Sequence, residues 1–487
     1  MKLREYQQAH NDAVRSAVRA GRKRIISCMA TGSGKSIKIA ELTKNAVEKM
    51  KTVIIILPRR SLVDQLSKSF ADWGINHGVI MSKRERFSMP MVQIVSIDTY
   101  MSRIASGKMD ILKADLLILD EMHLQFTSKK LEVFRNYPFV VAFSATPIAP
   151  RKQALGDFYD CIVETISMKE LMLQGFLVKL RYFADPTIDL SGIRLNSQGD
   201  YLDSDLSDVM DKPDLVGDIY KNWLRIASGK PTVIFTSSQS HALHLTQEFC
   251  SHGWTFEYVD CETSDEDRKL IFDRVRTGEA IGICNVGIVS VGIDIPNLEV
   301  CVLARPTKSI ANYHQCVGRV TRPYPGKTEG LVIDHAGIIE KLGFAEDPTH
   351  WTLEGKTVEE LTLKDKQERK EPKEIICKQC NYVFKARRDC PKCGFSMVKK
   401  GEPIPCYEAE LKEVKEKYTG EQKEKWYREM LGYCRRYNKK DGYAFYQYIS
   451  KFGVEPKWKK IAEQPSQEIF DWVKHISIKR EYRHGKV

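Results

Sequence analysis

The stretch Met29-Ala30-Thr31-Gly32-Ser33-Gly34-Lys35-Ser36 constrains this chain more than any other. Closely spaced glycines permit a turn in which successive backbone N–H groups converge on one anion. A lysine then reaches the terminal phosphates and a serine hydroxyl can ligate Mg²⁺. The flanks fit this reading: Arg24 to Cys28 is a short apolar run of strand type, and Ile37 to Met50 carries apolar residues at helical spacing. A loop that joins a strand to a helix N-terminus holds a phosphate through unsatisfied N–H groups and the helix dipole. In one position the chain departs from the strict phosphate-loop pattern, which has glycine where Met29 stands.

The surrounding sequence alternates strand and helix. Leu3 to about Ala20 reads as an amphipathic helix in which Gln7 could meet an adenine edge with its amide. Thr52 to Leu57 is an unbroken β-branched run of the kind a buried parallel strand requires, and it ends at Pro58-Arg59-Arg60-Ser61 before a helix from Leu62 to about Trp73. Met91 to Val95 forms a third strand, capped by Ser96 to Thr99. The fourth, Leu116 to Leu119, delivers Asp120-Glu121-Met122-His123 at its carboxyl end, where an open parallel sheet binds its ligands. Asp120 suits Mg²⁺ and Glu121 suits positioning or activating a water. A fifth, Phe139 to Phe143, ends in Ser144-Ala145-Thr146-Pro147. This alternation predicts an α/β fold with a doubly wound parallel sheet.

These residues resemble the superfamily 2 nucleic-acid helicases and translocases with a D-E-x-H box, motors like the type III restriction subunit, over roughly residues 1 to 340. The resemblance implies two tandem RecA-like domains, ATP and Mg²⁺, and a set of site residues. Arg4 and Gln7 would contact adenine; Thr31, Gly32, Ser33, Gly34, Lys35 and Ser36 would hold the phosphates, with Ser36 and Asp120 on magnesium. Glu121 would act on water, while His123, Ser144, Ala145 and Thr146 would couple hydrolysis to movement. Arg59, Arg60, Ser96 and Thr99 would grip a strand, as would Thr236 and Asn285 in the second domain. There Gly292 and Asp294 match a motif touching nucleotide and strand, and Gln315, Arg319 and Arg322 match the arginine-finger helix Gln315 to Arg322. Val291 stands where many relatives carry glutamate. Guanidinium groups brought from a second domain to the γ-phosphate make hydrolysis depend on domain closure.

Past the motor, Asp347 to Lys373 is highly charged and reads as a linker or exposed helix. Cys377-x-x-Cys380 and Cys390-x-x-Cys393 supply four thiolates with the spacing of a structural Zn²⁺ site, a small zinc ribbon. The other nine of the 13 cysteines are scattered, as reduced thiols commonly are. From Glu408 the chain reads as helical, aromatic and basic: nine of its 20 tyrosines follow Ser396. Trp426, Met430, Tyr433 and Tyr437 fall at the spacing of a core stripe, leaving Arg435, Arg436, Lys439, Lys440 and Lys451 as a candidate contact face. Gly442 to Trp458 resembles the tail of helicases encoded by bacteriophages and prophages.

Charge makes the same division. The net charge is +12, and residues 364–487 hold 31 Lys and Arg against 19 Asp and Glu, so the body is neutral and the tail carries the excess. That pattern suits either a polyanion partner or a solvated charged surface. The expected boundaries are 1–165 and 166–345 for the motor domains, 346–372 for the linker, 373–397 for the ribbon and 398–487 for the tail. No run of about 18 apolar residues suits a membrane helix, and Met1 to Tyr6 lacks the apolar stretch of a signal peptide, so a cytoplasmic, membrane-free protein is expected. The expected function is an ATP-dependent helicase or translocase acting on nucleic acid, DNA in preference to RNA, in replication, recombination or repair, with replication or recombination proteins as possible partners of the tail. An RNA helicase, a duplex translocase, or an ATP-gated loading factor acting through the tail stand as alternatives; no third catalytic centre is evident.

Overall fold

The computed structural model describes residues 3–82, 84–86, 91–149, 153–184, 193–196, 199–211, 213–287, 295–347, 349, 351–354, 374–376, 383–385, 411–414, 420–452, 456, 461–470 and 472–473. The chain divides into two compact units, one of Met1–Thr357 with Gln367–Val414 and another of Val358–Lys366 with Lys415–Val487.

The first unit is built on two sheets. Strands β1 (Arg24–Cys28), β2 (Val53–Leu57), β3 (Gly78–Met81), β4 (Arg84–Arg86), β5 (Val92–Ser96), β6 (Leu116–Leu119), β7 (Phe139–Ser144) and β8 (Cys161–Glu164) make the first. Their spatial order is β4-β3-β5-β2-β6-β7-β1-β8, parallel throughout except for the β3–β4 edge. The β-branched runs of the sequence form the centre because a strand covered on both faces must be apolar at every position. On β2, Ile54 and Ile56 enter one core with Tyr100, Phe134 and Leu155, whereas Val53, Ile55 and Leu57 enter the other with Ile39, Val63 and Phe70. Met29 belongs to this second core and is 3% exposed, and its N–H donates to the Ser144 carbonyl at 2.9 Å. The absent glycine of the phosphate loop is thus a core side chain that pins the loop's first turn.

The second sheet contains β9 (Lys179–Ala184), β10 (Thr232–Thr236), β11 (Phe256–Val259), β12 (Gly282–Val286), β13 (Val300–Ala304) and β14 (Glu329–Asp334), all parallel, in the order β11-β12-β10-β13-β14-β9. Its two faces are filled in the same way, Val233 and Phe235 on one side, Ile234 with Trp223 and Phe249 on the other. A short hairpin, β15 (Glu374–Ile376) and β16 (Val383–Lys385), flanks the segment that carries Cys377 and Cys380. The four paired cysteines themselves, with Gly292 and Asp294, lie outside the described residues. After them β17 (Lys412–Val414) returns to the second sheet and pairs antiparallel with β9. The stretch expected to belong wholly to a helical tail therefore contributes an edge strand to the motor. Arg181 holds it by pairing with both Glu329 and Glu413 at 3.0 Å.

The second unit contains the helices Gly420–Arg436 and Asp441–Phe452. Trp426, Met430 and Tyr433 line its core with Ala444, Tyr448 and Ile469, as the stripe predicted. Tyr437 does not join them: it lies one residue past the helix end and is 49% exposed. Among the described residues no helix is long and apolar enough to cross a membrane.

Candidate active site

The site forms where three carboxyl ends of the first sheet meet the loop after β1. Gly32 at φ +81 and Gly34 at φ +88 adopt left-handed backbone that a side chain would oppose, and this turns the chain into the helix Lys35–Val47. Ser33 is buried, and its carbonyl accepts from Tyr6 Oη at 2.8 Å and Gln7 Nε2 at 3.1 Å. Gln7 is 2% exposed and also accepts from Arg4 N at 3.0 Å. Its amide is thus fixed against the phosphate loop. Arg4 is exposed and lies over the Phe176 ring, 4.5 Å from its centroid.

Lys35 Nζ donates to Glu121 Oε1. Burial alone would lower the lysine pKa, but Glu121 and then Asp120 outweigh it and raise the value. For Glu121, burial acts upward, and Lys35, His123 and Arg319 together hold the carboxyl below its usual range. Asp120 moves the other way: burial pushes it up to about 6 against the pull of Lys35. Two adjacent acids so separated are suited to different tasks. Glu121 itself sits at φ 48 and ψ 56, a left-handed conformation uncommon for a residue with a β-carbon. Its N–H donates to Asp120 Oδ1 at 3.0 Å. Ser36 is exposed at the first turn of the helix. A hydroxyl and a carboxylate are the hard oxygen donors that Mg²⁺ takes.

His123 connects this acid pair to the end of β7. Its Nδ1 lies 3.6 Å from Glu121 Oε2 and 3.2 Å from Ser144 Oγ, and Ser144 Oγ in turn accepts from Thr146 N at 3.1 Å. Ser144 and Thr146 are buried, and the Ala145 carbonyl accepts from Cys28 Sγ at 3.8 Å. A chain of polar contacts thus runs from the acids to the strand end, each link within hydrogen-bond or ion-pair reach.

The second sheet supplies the opposite wall. Helix Ile310–Val317 ends just before Gly318, so Arg319 and Arg322 stand on the turn after the helix and not on it as the sequence reading placed them. Gly318 is what allows the approach: a β-carbon there would come within 2.3 Å of Thr31 Cγ2. Gly32 in turn faces Leu177 and Thr321 of the second domain, 2.9 and 3.7 Å from where its β-carbon would be. Arg319 is close enough to act electrostatically on both Lys35 and Glu121. The charge of Arg322 is felt by Lys327, a buried lysine that donates to the Leu298 carbonyl. Gln315 is half-buried on the same helix.

The residues expected to grip a strand fall into two groups. Arg59 and Arg60 are exposed at the end of β2, and Thr99 is half-buried with its Oγ1 accepting from Ser82 N at 3.1 Å. Ser96, Thr236 and Asn285 are buried. Thr236 Oγ1 donates to the Asn285 carbonyl at 2.9 Å and Asn285 Nδ2 to the Ile234 carbonyl at 2.8 Å, so these two side chains fasten the ends of β10 and β12. Three further polar residues, outside any of the motifs, support the site. Lys38 is 2% exposed and donates to the Gln7 carbonyl at 2.9 Å; Gln125 Nε2 donates to the Asp120 carbonyl. His10 joins Ser27 at 2.6 Å and Thr165 at 2.7 Å. Only Lys38 carried a signal, a lysine on the apolar side of the loop helix.

Two families match the chain: that described as type III restriction enzyme, res subunit, over residues 1–149, and the helicase conserved C-terminal domain over residues 211–324. A 51.5 kDa protein of Lactococcus phage (isolate 7-9) is 28% identical over 385 residues, 78% of this chain and 80% of that one. IRC3 of Saccharomyces cerevisiae, named as an ATP-dependent helicase, is 28% identical over 371 residues, 71% of this chain but 53% of the yeast protein. The fold is shared with a fragment of an HsdR subunit of a type I restriction enzyme from Vibrio vulnificus YJ016, at a TM-score of 0.54 and 20% identity, covering 73% of this chain and 70% of that one. The two parallel sheets are accordingly tandem RecA-like domains.

Proposed function

We propose, on the premise that this chain belongs to the superfamily 2 helicases, is a motor like the type III restriction subunit and is an ATP-dependent helicase or translocase, that it works on DNA and that Arg319 links hydrolysis to domain closure. The observation that carries this reading is Arg319, which reaches from the second domain into the field of Lys35 and Glu121. Lys35, paired with Glu121, exchanges that carboxylate for the terminal phosphates of ATP; Glu121, thereby released, positions the attacking water. Charge that develops on the γ-phosphate is met by Arg319, and such a finger contributes about 10³ to 10⁵ in rate. Ser36 and Asp120 would hold Mg²⁺, which when bound neutralises phosphate charge. His123 and Ser144 transmit the state of Glu121 to the end of β7 and so to Thr146.

DNA is favoured over RNA because the family matched over residues 1–149 takes its name from a restriction enzyme. The exposed Arg59 and Arg60 are the proposed backbone contacts of the first domain. The two Cys-x-x-Cys pairs are proposed to bind structural Zn²⁺, four thiolates being its preferred donor set. Nucleic-acid-stimulated ATP hydrolysis should vanish in Lys35→Ala and Glu121→Gln, and Arg319→Ala should lose hydrolysis while retaining nucleotide binding. Full activity in either of the first two variants would refute the assignment. Comparing stimulation by single-stranded DNA and RNA of one sequence decides the substrate.

A further inference from the structure

We propose that the turn between the two tail helices, Arg435 to Lys440, is a separate nucleic-acid-binding site that holds a single strand by its phosphates and stacks a base on Tyr437. The proposal rests on the motor reading for its ligand, but its geometry belongs to the tail alone. Arg435, Arg436, Tyr437, Asn438, Lys439 and Lys440 are all exposed, four cations and one aromatic ring in six consecutive residues. Their backbone is fixed. Tyr437 N donates to the Tyr433 carbonyl at 3.0 Å, Lys439 N donates to the Cys434 carbonyl at 2.8 Å, and Asn438 takes the left-handed conformation at φ 50 that reverses the chain.

The ring of Tyr437 is held before any ligand arrives. It packs against Tyr433 with centroids 4.6 Å apart, and Arg436 lies 5.9 Å from its centroid, yet 49% of the residue remains exposed. Lys439 is set 4.3 Å from the Tyr443 ring centroid. A rigid aromatic face beside several cations is the arrangement on which single strands stack without regard to sequence.

Four of the described acids of this unit are engaged at other places. Glu424 and Glu463 both pair with Arg428, Glu429 accepts from Ser466 and lies 3.9 Å from Lys425, and Glu468 pairs with Lys451. Asp441, next in sequence to Lys440, is the nearest acid along the chain. Arg436, Lys439 and Lys440 form no ion pair among the described residues. One or two cations suffice to complement the carboxyl end of a helix. The further two lie beyond the helix, where a phosphate chain is the complementary partner.

The test uses the full chain without nucleotide and a fluorescent oligothymidylate, with affinity measured across a range of KCl concentrations. Arg436→Ala/Lys439→Ala/Lys440→Ala should lower the slope of log affinity against log salt by about two, near 0.7 for each single-strand phosphate that is no longer neutralised. Tyr437→Ala should weaken binding about tenfold with little change in slope. Lys439→Arg/Lys440→Arg should keep the wild-type slope. At saturating oligothymidylate the kcat for ATP should be unchanged in every variant, only the concentration needed for half-stimulation rising. Wild-type slope and affinity in the triple variant would overturn the proposal, as would a fall in kcat, which would mean that the turn supports the motor's structure instead. Loss of an acidic protein partner with unchanged oligonucleotide binding would also overturn it. Absence of any nucleic-acid stimulation in the wild type would refute the motor reading, a result that the salt slope distinguishes from failure of the tail site.

Discussion

Replacing Gly318 by alanine should separate nucleotide binding from hydrolysis. The added β-carbon would stand 2.3 Å from Thr31 Cγ2 and 2.9 Å from both Thr31 Cβ and the His314 carbonyl. Carbon atoms in contact settle at about 3.5 to 4.0 Å, so the turn after helix Ile310–Val317 must retreat from the phosphate loop by about 1.2 Å or more. Arg319, the next residue, moves with it. A misplacement of about 1 Å costs roughly 10²-fold in rate, equivalent to about 2.7 kcal/mol of transition-state stabilisation. Turnover at saturating ATP and DNA should therefore fall about a hundredfold. Binding of a fluorescent ATP analogue should change by less than about threefold, about 0.7 kcal/mol, because no phosphate-contacting group is altered. The companion change Thr31→Ser removes Cγ2 and should restore part of the missing turnover in the double variant. Turnover of Gly318→Ala within twofold of wild type would show that the close approach of loop and finger turn is not needed for hydrolysis, and the reasoning would fail.

Two further outcomes follow from buried residues. Met29→Gly restores the glycine of the strict phosphate-loop pattern but removes a side chain 3% exposed in the core, so urea unfolding should report a loss of about 2 to 5 kcal/mol with no gain in ATP affinity. The buried His10 and His241 are held down to about 4, and His335 to about 3, burial being the main cause in each. The unfolded chain protonates these histidines from pH 6.5 downward, whereas the folded one resists, so stability falls as pH drops from 6.5 towards 4, by up to about 1.4 kcal/mol per pH unit for each. Asp334 and Asp120, each raised to about 6 by burial, act in the opposite sense because their folded forms take up a proton first. Three histidines outweigh the two acids, and the urea midpoint should decline between pH 6.5 and 4.5; a flat profile would contradict the burial argument.

The first sheet was legible because its central strands must be apolar on both faces, and each ends in a motif whose chemistry marks the boundary. Its outer members were not: β3 and β8 lie towards the two edges of the sheet, and neither ends in a motif that marks its boundary. Strand β17 is charged at two of its three positions and exists because β9 offers an edge, with Arg181 bonding Glu413 from 232 positions away. No local pattern encodes such a partner. Among the site residues, the phosphate loop and the acid pair were readable since their roles require particular residue types at fixed spacing. The placement of Arg319 was not, because whether a helix includes its final turn depends on how closely Gly318 is pressed to Thr31. Thr236 and Asn285 show the converse: residue type suggested contact with a strand, and the sheet uses both side chains internally.

The left-handed backbone at Glu121 has a cost that selection would feel. A residue with a β-carbon in that conformation carries about 1 to 2 kcal/mol of strain, held in place by the Lys35 pair, the His123 contact and the Asp120 carboxylate. Glycine or asparagine at this position would relieve it. Those substitutions also leave the Lys35 ammonium without its carboxylate, a loss of about 3 to 5 kcal/mol for a buried pair, so libraries selected for thermal resistance alone should recover them only together with a neutral residue in place of Lys35, and such variants should be hydrolytically dead. Retention of glutamate at this position would mark lineages in which turnover, and not mere folding, has been under selection.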